Sequence, residues 1–219
     1  MNNIAVWGFR SVPQFAQGLV RDLRVRWALQ EAGLSYEVRQ VRLEDRTAAD
    51  HRRRQPFGMV PVVEVDGRPS FESGAIVHQI ALQSEALMPA DPQARADVVT
   101  WLFAALNTVE PPVQALLDID FQHSAEPWAQ LRRPAAVDLV NARLSVLASW
   151  LDGRDYLLDR FSAADILMTT VLRLIRHTEL VAGFAVLVAY VERCEARPAF
   201  QKALAEQLAD YNEAAALAA

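Results

Sequence analysis

The chain has 219 residues, about half of them apolar, and a formal net charge of −5. That length suits one large or two small domains with an ordinary core. The acidic balance disfavours nucleic acid or an anionic membrane as the main partner. The single cysteine, Cys194, excludes a disulfide framework and a thiolate zinc site. Its neighbours Tyr190, Val191 and Ala196 fit a small buried filler. The start, Met1-Asn2-Asn3-Ile4, lacks the basic and apolar regions of a signal peptide. No run is long enough to span a bilayer, so the expectation is a soluble cytoplasmic chain with no membrane partner.

In chain order, Ile4 to Trp7 reads as a first strand, and Gly8 to Gly18 as irregular around Pro13. Leu19 to Ala32 reads as a helix: Leu19, Leu23 and Trp27 with Val20 and Ala28 form an apolar stripe, and Gly33 is a stop. Tyr36 to Val41 alternates as a second strand. The basic stretch from Asp45 to Gln55 reads as a solvated, partly helical connection. Val62 to Val65 is a β-branched strand, Asp66-Gly67 a hairpin turn and Arg68 to Phe71 the return, with Pro69 demanding an edge position. Ser73 is placed to cap a helix carrying Ala75, Ile76 and Ile80. The order β-α-β then β-β-α suits a small sheet with helices on both faces.

Leu87-Met88-Pro89-Ala90-Asp91-Pro92 is a stiff linker, and the pattern after it is helical to the end. Ala94 to Thr108 carries Val98, Trp101, Leu102 and Ala105 at helical spacing, until Pro111-Pro112 breaks or kinks it. Pro134 to Leu151 forms the next helix. Ser162 and Asp165 make a capping-box variant for a helix whose apolar residues cover most of its circumference. Phe184 to Ala196 and a segment from Pro198 follow. The expected division is 1–86, a linker 87–93 and an all-α domain 94–219.

The chain is organised around Met59-Val60-Pro61 and the stretch from Phe71 to Gly74. A helix starting at Ser73 would offer free backbone N–H groups and a positive dipole to a carboxylate or phosphate. Glu72 beside it could hold an ammonium. Together they describe the head of an α-amino acid. A cis Val60-Pro61 bond would leave the Val60 backbone open to an extended peptide. The plainer alternative is a hairpin and a capped helix with no ligand.

Val60-Pro61 followed by Glu72-Ser73 resembles the glutathione-binding signature of the cytosolic glutathione S-transferase family. Arg24 to Leu34 is similar to that family's first helix and stop, and Ser162 with Asp165 to the structural cap of its buried C-domain helix. The resemblance implies a glutathione S-transferase fold: an α/β thioredoxin-like N-terminal domain followed by an all-α helical-bundle C-terminal domain. It further implies a homodimer, glutathione as co-substrate, no metal, and conjugation of the thiolate to a small hydrophobic electrophile. Without a C-x-x-C, disulfide exchange by the thioredoxin route is excluded. In the resemblance Val60, the residue before a cis Pro61, pairs with the cysteinyl backbone, and Glu72 and Ser73 hold the γ-glutamyl head.

The thiol needs a hydroxyl, a helix N-terminus or a cation to ionise near neutral pH. Where tyrosine-type relatives have their Tyr, this chain has Trp7. Counting forward from the strand reaches Ser11, the one hydroxyl of the loop; counting back from Ala28-Leu29 reaches Leu19 and Arg21. The counts disagree, which suggests an insertion over Val12 to Gly18, so Ser11 and Arg21 are both catalytic candidates. Met59 replaces a common polar residue, leaving His51, Arg54 or Gln55 for the glycine carboxylate. The electrophile is expected between the domains, with Phe15, Trp101, Phe103, Asn107 and Glu110 as lining candidates. Asn107 and Glu110, one turn apart, should face the same way. His78, His123 and His177 lack metal spacing. The alternatives are a non-catalytic glutathione-binding or protein-interaction module of the same fold, and a glutathione-dependent peroxidase or isomerase.

Overall fold

The structure is a computed structural model that describes residues 3–216, with side chains as far as Asn212. It divides into two compact units. One joins the residues up to Met88 with those from Arg197 onward; the other is Pro89–Ala196.

The first unit is built on a four-stranded sheet in the order β2-β1-β3-β4. β1 (Ile4–Phe9) runs parallel to β2 (Glu37–Val41) and antiparallel to β3 (Val62–Val65), which pairs with β4 (Arg68–Phe71). Pro69 stands opposite Glu64 on β4, at the sheet edge, where its missing N–H costs no ladder bond. The hairpin turns on Asp66 (φ 51°) and Gly67 (φ 79°), the two left-handed residues of a tight type I′ turn. Alternation decides the layers. Trp7 lies under the Arg54 guanidinium of α2 (Ala49–Arg54), 4.6 Å from the ring centre. Gly8 points the other way, against α1 (Asp22–Glu31), and a Cβ on it would come within 3.0 Å of the Asp22 carboxylate. α3 (Ser73–Ala81) packs beside α1.

Helix α1 starts at Asp22, not at Leu19. Gly18 has φ 74°, and the Leu23 N–H bonds the Val20 carbonyl in a tight turn, so the chain enters the helix late. Instead of one apolar stripe, every residue from Asp22 to Leu29 is buried. The reason is α9 (Pro198–Ala216), which lies along α1. Phe200 meets the Trp27 ring edge-on at 4.9 Å, and Arg197 holds Glu31 in a bidentate pair at 2.6 and 2.8 Å.

The second unit is helical: α4 (Pro92–Phe103), α5 (Glu110–Gln122), α6 (Pro127–Leu151), α7 (Ala163–Arg173) and α8 (Ala185–Glu195). α7 is buried along its whole length. The Ser162 N–H donates to Asp165 at 2.9 Å, and the Ala164 N–H to the Ser162 hydroxyl at 3.3 Å. Asp165 also accepts from the Leu157 N–H and the Tyr190 hydroxyl, both at 3.0 Å.

The structure decides one proline expectation between its alternatives and corrects another. Pro111-Pro112 does not break the chain; a π-helical turn, Ala104–Val109, leads straight into α5. A proline ring clashes with the carbonyl four residues back. Here those carbonyls belong to Asn107 and Thr108, inside the wide turn. Likewise α6 begins at Pro127 and runs through Pro134. Pro127 sits in the first turn, where an N–H is dispensable.

Candidate functional site

The organising stretch folds into one local construction. The Val60–Pro61 peptide is cis, and both residues are buried. Val60 lies outside the strands, and its backbone N–H and C=O bond no other backbone group among the described residues. Eleven residues after Pro61, Glu72 joins β4 to α3 with φ 69°, a left-handed conformation rare for a residue with a side chain. Its side chain is exposed and makes no capping bond. Ser73 is therefore the first helical residue, not the cap. Its hydroxyl is taken by Arg24 Nη1, which donates to it at 3.2 Å from the buried face of α1.

The residues considered for a second carboxylate are all engaged. His51 is buried, and its Nε2–H donates to the Met59 carbonyl at 2.9 Å. Gln55 is buried and accepts the Phe57 N–H at 2.7 Å. Both shape the turn that leads to Val60. Arg54 pairs with Glu64 at 3.0 Å and Asp50 at 2.5 Å while it stacks on Trp7. Met59 itself is exposed.

β1 continues to Phe9, so Trp7 is not the strand end. Its indole belongs to the α2 face, between Arg54 and Arg39. The connection from Arg10 to Arg21 holds one 3₁₀ turn, Gln14–Ala16. Ser11 is exposed near its beginning, and Arg21 stands immediately before α1. Phe15 is exposed on the same connection. In the helical unit, Trp101 meets Trp150 with tilted rings at 5.1 Å and Phe103 is exposed. Asn107 is exposed on the π turn, whereas Glu110 is buried, so the two do not face the same way. The wider turn between them changes the angular step.

Sequence reasoning missed the polar hub behind α1. Asp22 is buried; its Oδ2 accepts from Arg26 Nε at 2.9 Å and its Oδ1 from Gln207 Nε2 at 2.7 Å. Arg26 Nη2 donates to Asp210 at 2.6 Å. Burial pushes the Asp22 carboxyl above the usual aspartate range, against the pull of Arg26 and Gln207. The i, i+4 spacing of Asp22 and Arg26 was a readable signal for their pairing, but nothing local points to α9. Among the described residues, no helix is long and apolar enough to cross a membrane.

A small mixed sheet under α1 and α3, with an open backbone before β3 and a carboxylate at the head of α3, makes a thioredoxin-like unit; the other unit is helical. Comparison with known proteins gives the family. Residues 16–81 match the model for the glutathione S-transferase N-terminal domain, and residues 129–198 that for the C-terminal domain; together they cover more than half of the chain. The chain is 29% identical to glutathione S-transferase 4 of Zea mays, over 91% of both proteins. It is 28% identical to a maleylacetoacetate isomerase of Rhizobium meliloti, over 82% of this chain and 89% of that protein. A glutathione transferase from Burkholderia graminis, crystallised with two glutathione molecules per subunit, superimposes with a TM-score of 0.81 at 26% identity, covering 93% of this chain and 88% of its own. The chain belongs to the glutathione S-transferase family.

Proposed function

We propose that the protein is a glutathione transferase that binds glutathione on its first unit and directs the thiolate at a small hydrophobic electrophile. The observation that carries this reading is the junction of β4 and α3. A non-glycine residue held left-handed costs about 1–3 kcal/mol, and such conformations cluster at ligand clamps. At Glu72 this conformation sets an exposed carboxylate beside the unpaired N–H groups of α3. That pairing suits the ammonium and carboxylate of a γ-glutamyl head. Ser73, fixed by Arg24, lies at the same end, and Val60 offers its backbone to the cysteinyl residue. Ser11 or Arg21 stabilises the thiolate. By analogy with the family, the protein works as a homodimer.

Titration calorimetry tests the site. Glutathione should bind in the micromolar to millimolar range, and S-hexylglutathione more tightly if an apolar site adjoins the thiol. Glu72→Ala should weaken binding by more than about tenfold, since it leaves an ammonium without its partner. An unchanged affinity would overturn the assignment of the head group.

The likeness to a maleylacetoacetate isomerase favours a second reading, glutathione-dependent isomerisation. Conjugation consumes glutathione, whereas isomerisation returns it. Measuring thiol loss on a chloronitroaromatic substrate and on maleylacetoacetate separates the two.

A further inference from the structure

We infer that Gln207 on α9 is a positioning residue for the thiolate-stabilising end of α1. The inference rests on the proposed glutathione chemistry and extends it to a helix that sequence reasoning left out of the site. Gln207 is completely buried. Its Nε2 donates to the Val20 carbonyl at 3.2 Å and to Asp22 Oδ1 at 2.7 Å. Arg21, one of the two thiolate candidates, is the residue between those two acceptors. A single amide from far along the chain thus grips the backbone on one side of Arg21 and the side chain on the other.

The rest of the hub fixes the direction of the grip. Asp22 is held from its other oxygen by Arg26, and Arg26 in turn by Asp210, one turn beyond Gln207 on α9. The carboxylate rests against Gly8, so the end of β1, the start of α1 and α9 share one anchor.

Simple docking does not require this arrangement. Along the same interface, Trp27 and Phe200 join α1 to α9 by apolar contact. The Gln207 Oε1 is buried with no partner among the described residues, an arrangement that packing alone disfavours. An apolar side chain of the same size would fill the space without that penalty, but it would leave the Val20–Asp22 turn unanchored.

The test is Gln207→Leu, which keeps the volume and removes both bonds. The readouts are glutathione affinity by calorimetry, and the pH profiles of kcat and of the bound thiolate's ultraviolet absorbance. Affinity should stay within about threefold of wild type, while the bound thiol titrates at higher pH. A shift of one pH unit lowers kcat about tenfold on the acid side of the profile, with recovery at high pH. A purely structural role would lower the amount of folded enzyme and leave that profile in place. Should the leucine variant fail to fold, Gln207→Met carries the same expectations with a more adaptable side chain. Profiles superimposable on wild type would overturn the inference while the glutathione reading stands. Absence of glutathione binding by the wild-type protein would overturn both.

Discussion

At Gly58 the backbone has room for a hydrogen and nothing larger. Its φ is +68°, and a Cβ would sit 2.7 Å from the Arg46 carbonyl oxygen. Gly58→Ala should therefore cost at least about 1–3 kcal/mol in urea unfolding, and glutathione affinity should fall with the displaced turn. The thiolate donor divides by charge and hydroxyl. If Ser11 is the donor, Ser11→Ala raises the pH at which bound thiol ionises and leaves affinity nearly intact; if Arg21 is, Arg21→Ala does so instead. Titrating both variants decides between them. The hairpin and the helix that starts beside it were readable because both are local chemistry. The clasp of Ser73 by Arg24 was not, because it spans 49 residues and three intervening strands. Arg54 shows the opposite limit: a cation near the right place in sequence is held by Glu64 and Asp50.

Among the elements, α7 depends most on its cap. Ser162→Ala should cost about 0.5–2 kcal/mol, the usual value of an N-cap. Asp165→Ala should cost more, about 3–5 kcal/mol, because it strands the Leu157 and Ser162 N–H groups and the Tyr190 hydroxyl in the interior. Urea midpoints at constant m-value give both numbers. A second tie joins α5, α6 and the chain after α7: Asp120 accepts Arg133 at 2.6 and 3.1 Å and faces His177 Nε2 at 2.9 Å. Partial burial raises the Asp120 pKa, but Arg133 and His177 outweigh it and hold it below the ordinary 3.8. A depressed folded pKa adds stability above the unfolded value, and that stability is lost as pH falls from 3.8 through the folded value. Asp120→Asn should flatten the acid limb of the stability curve; identical slopes for variant and wild type would refute the tie. The cap was legible as a spacing of three residues, whereas the π turn was not, because a proline pair announces a defect without saying how the backbone absorbs it.

For the whole molecule, the small sheet, its edge strand and the helical second half followed from alternation, a placed proline and periodicity. The boundary between the units did not, since α9 looks like one more helix of the second half and is built into the first. Removing residues 197–219 should take from Asp22, Arg26 and Trp27 their partners on α9, and hydrogen exchange along α1 should accelerate far more than along α7. Equal protection of both helices would contradict that dependence. The same feature sets a timetable on the ribosome. Chains emerge at about 5–20 residues per second and usually fold from the N-terminus forward. Here the first unit waits for a helix that is translated only after all of Pro89–Ala196. The helical unit can reach its native packing while α1 still lacks α9, so the first part of the chain to emerge is the last to be completed.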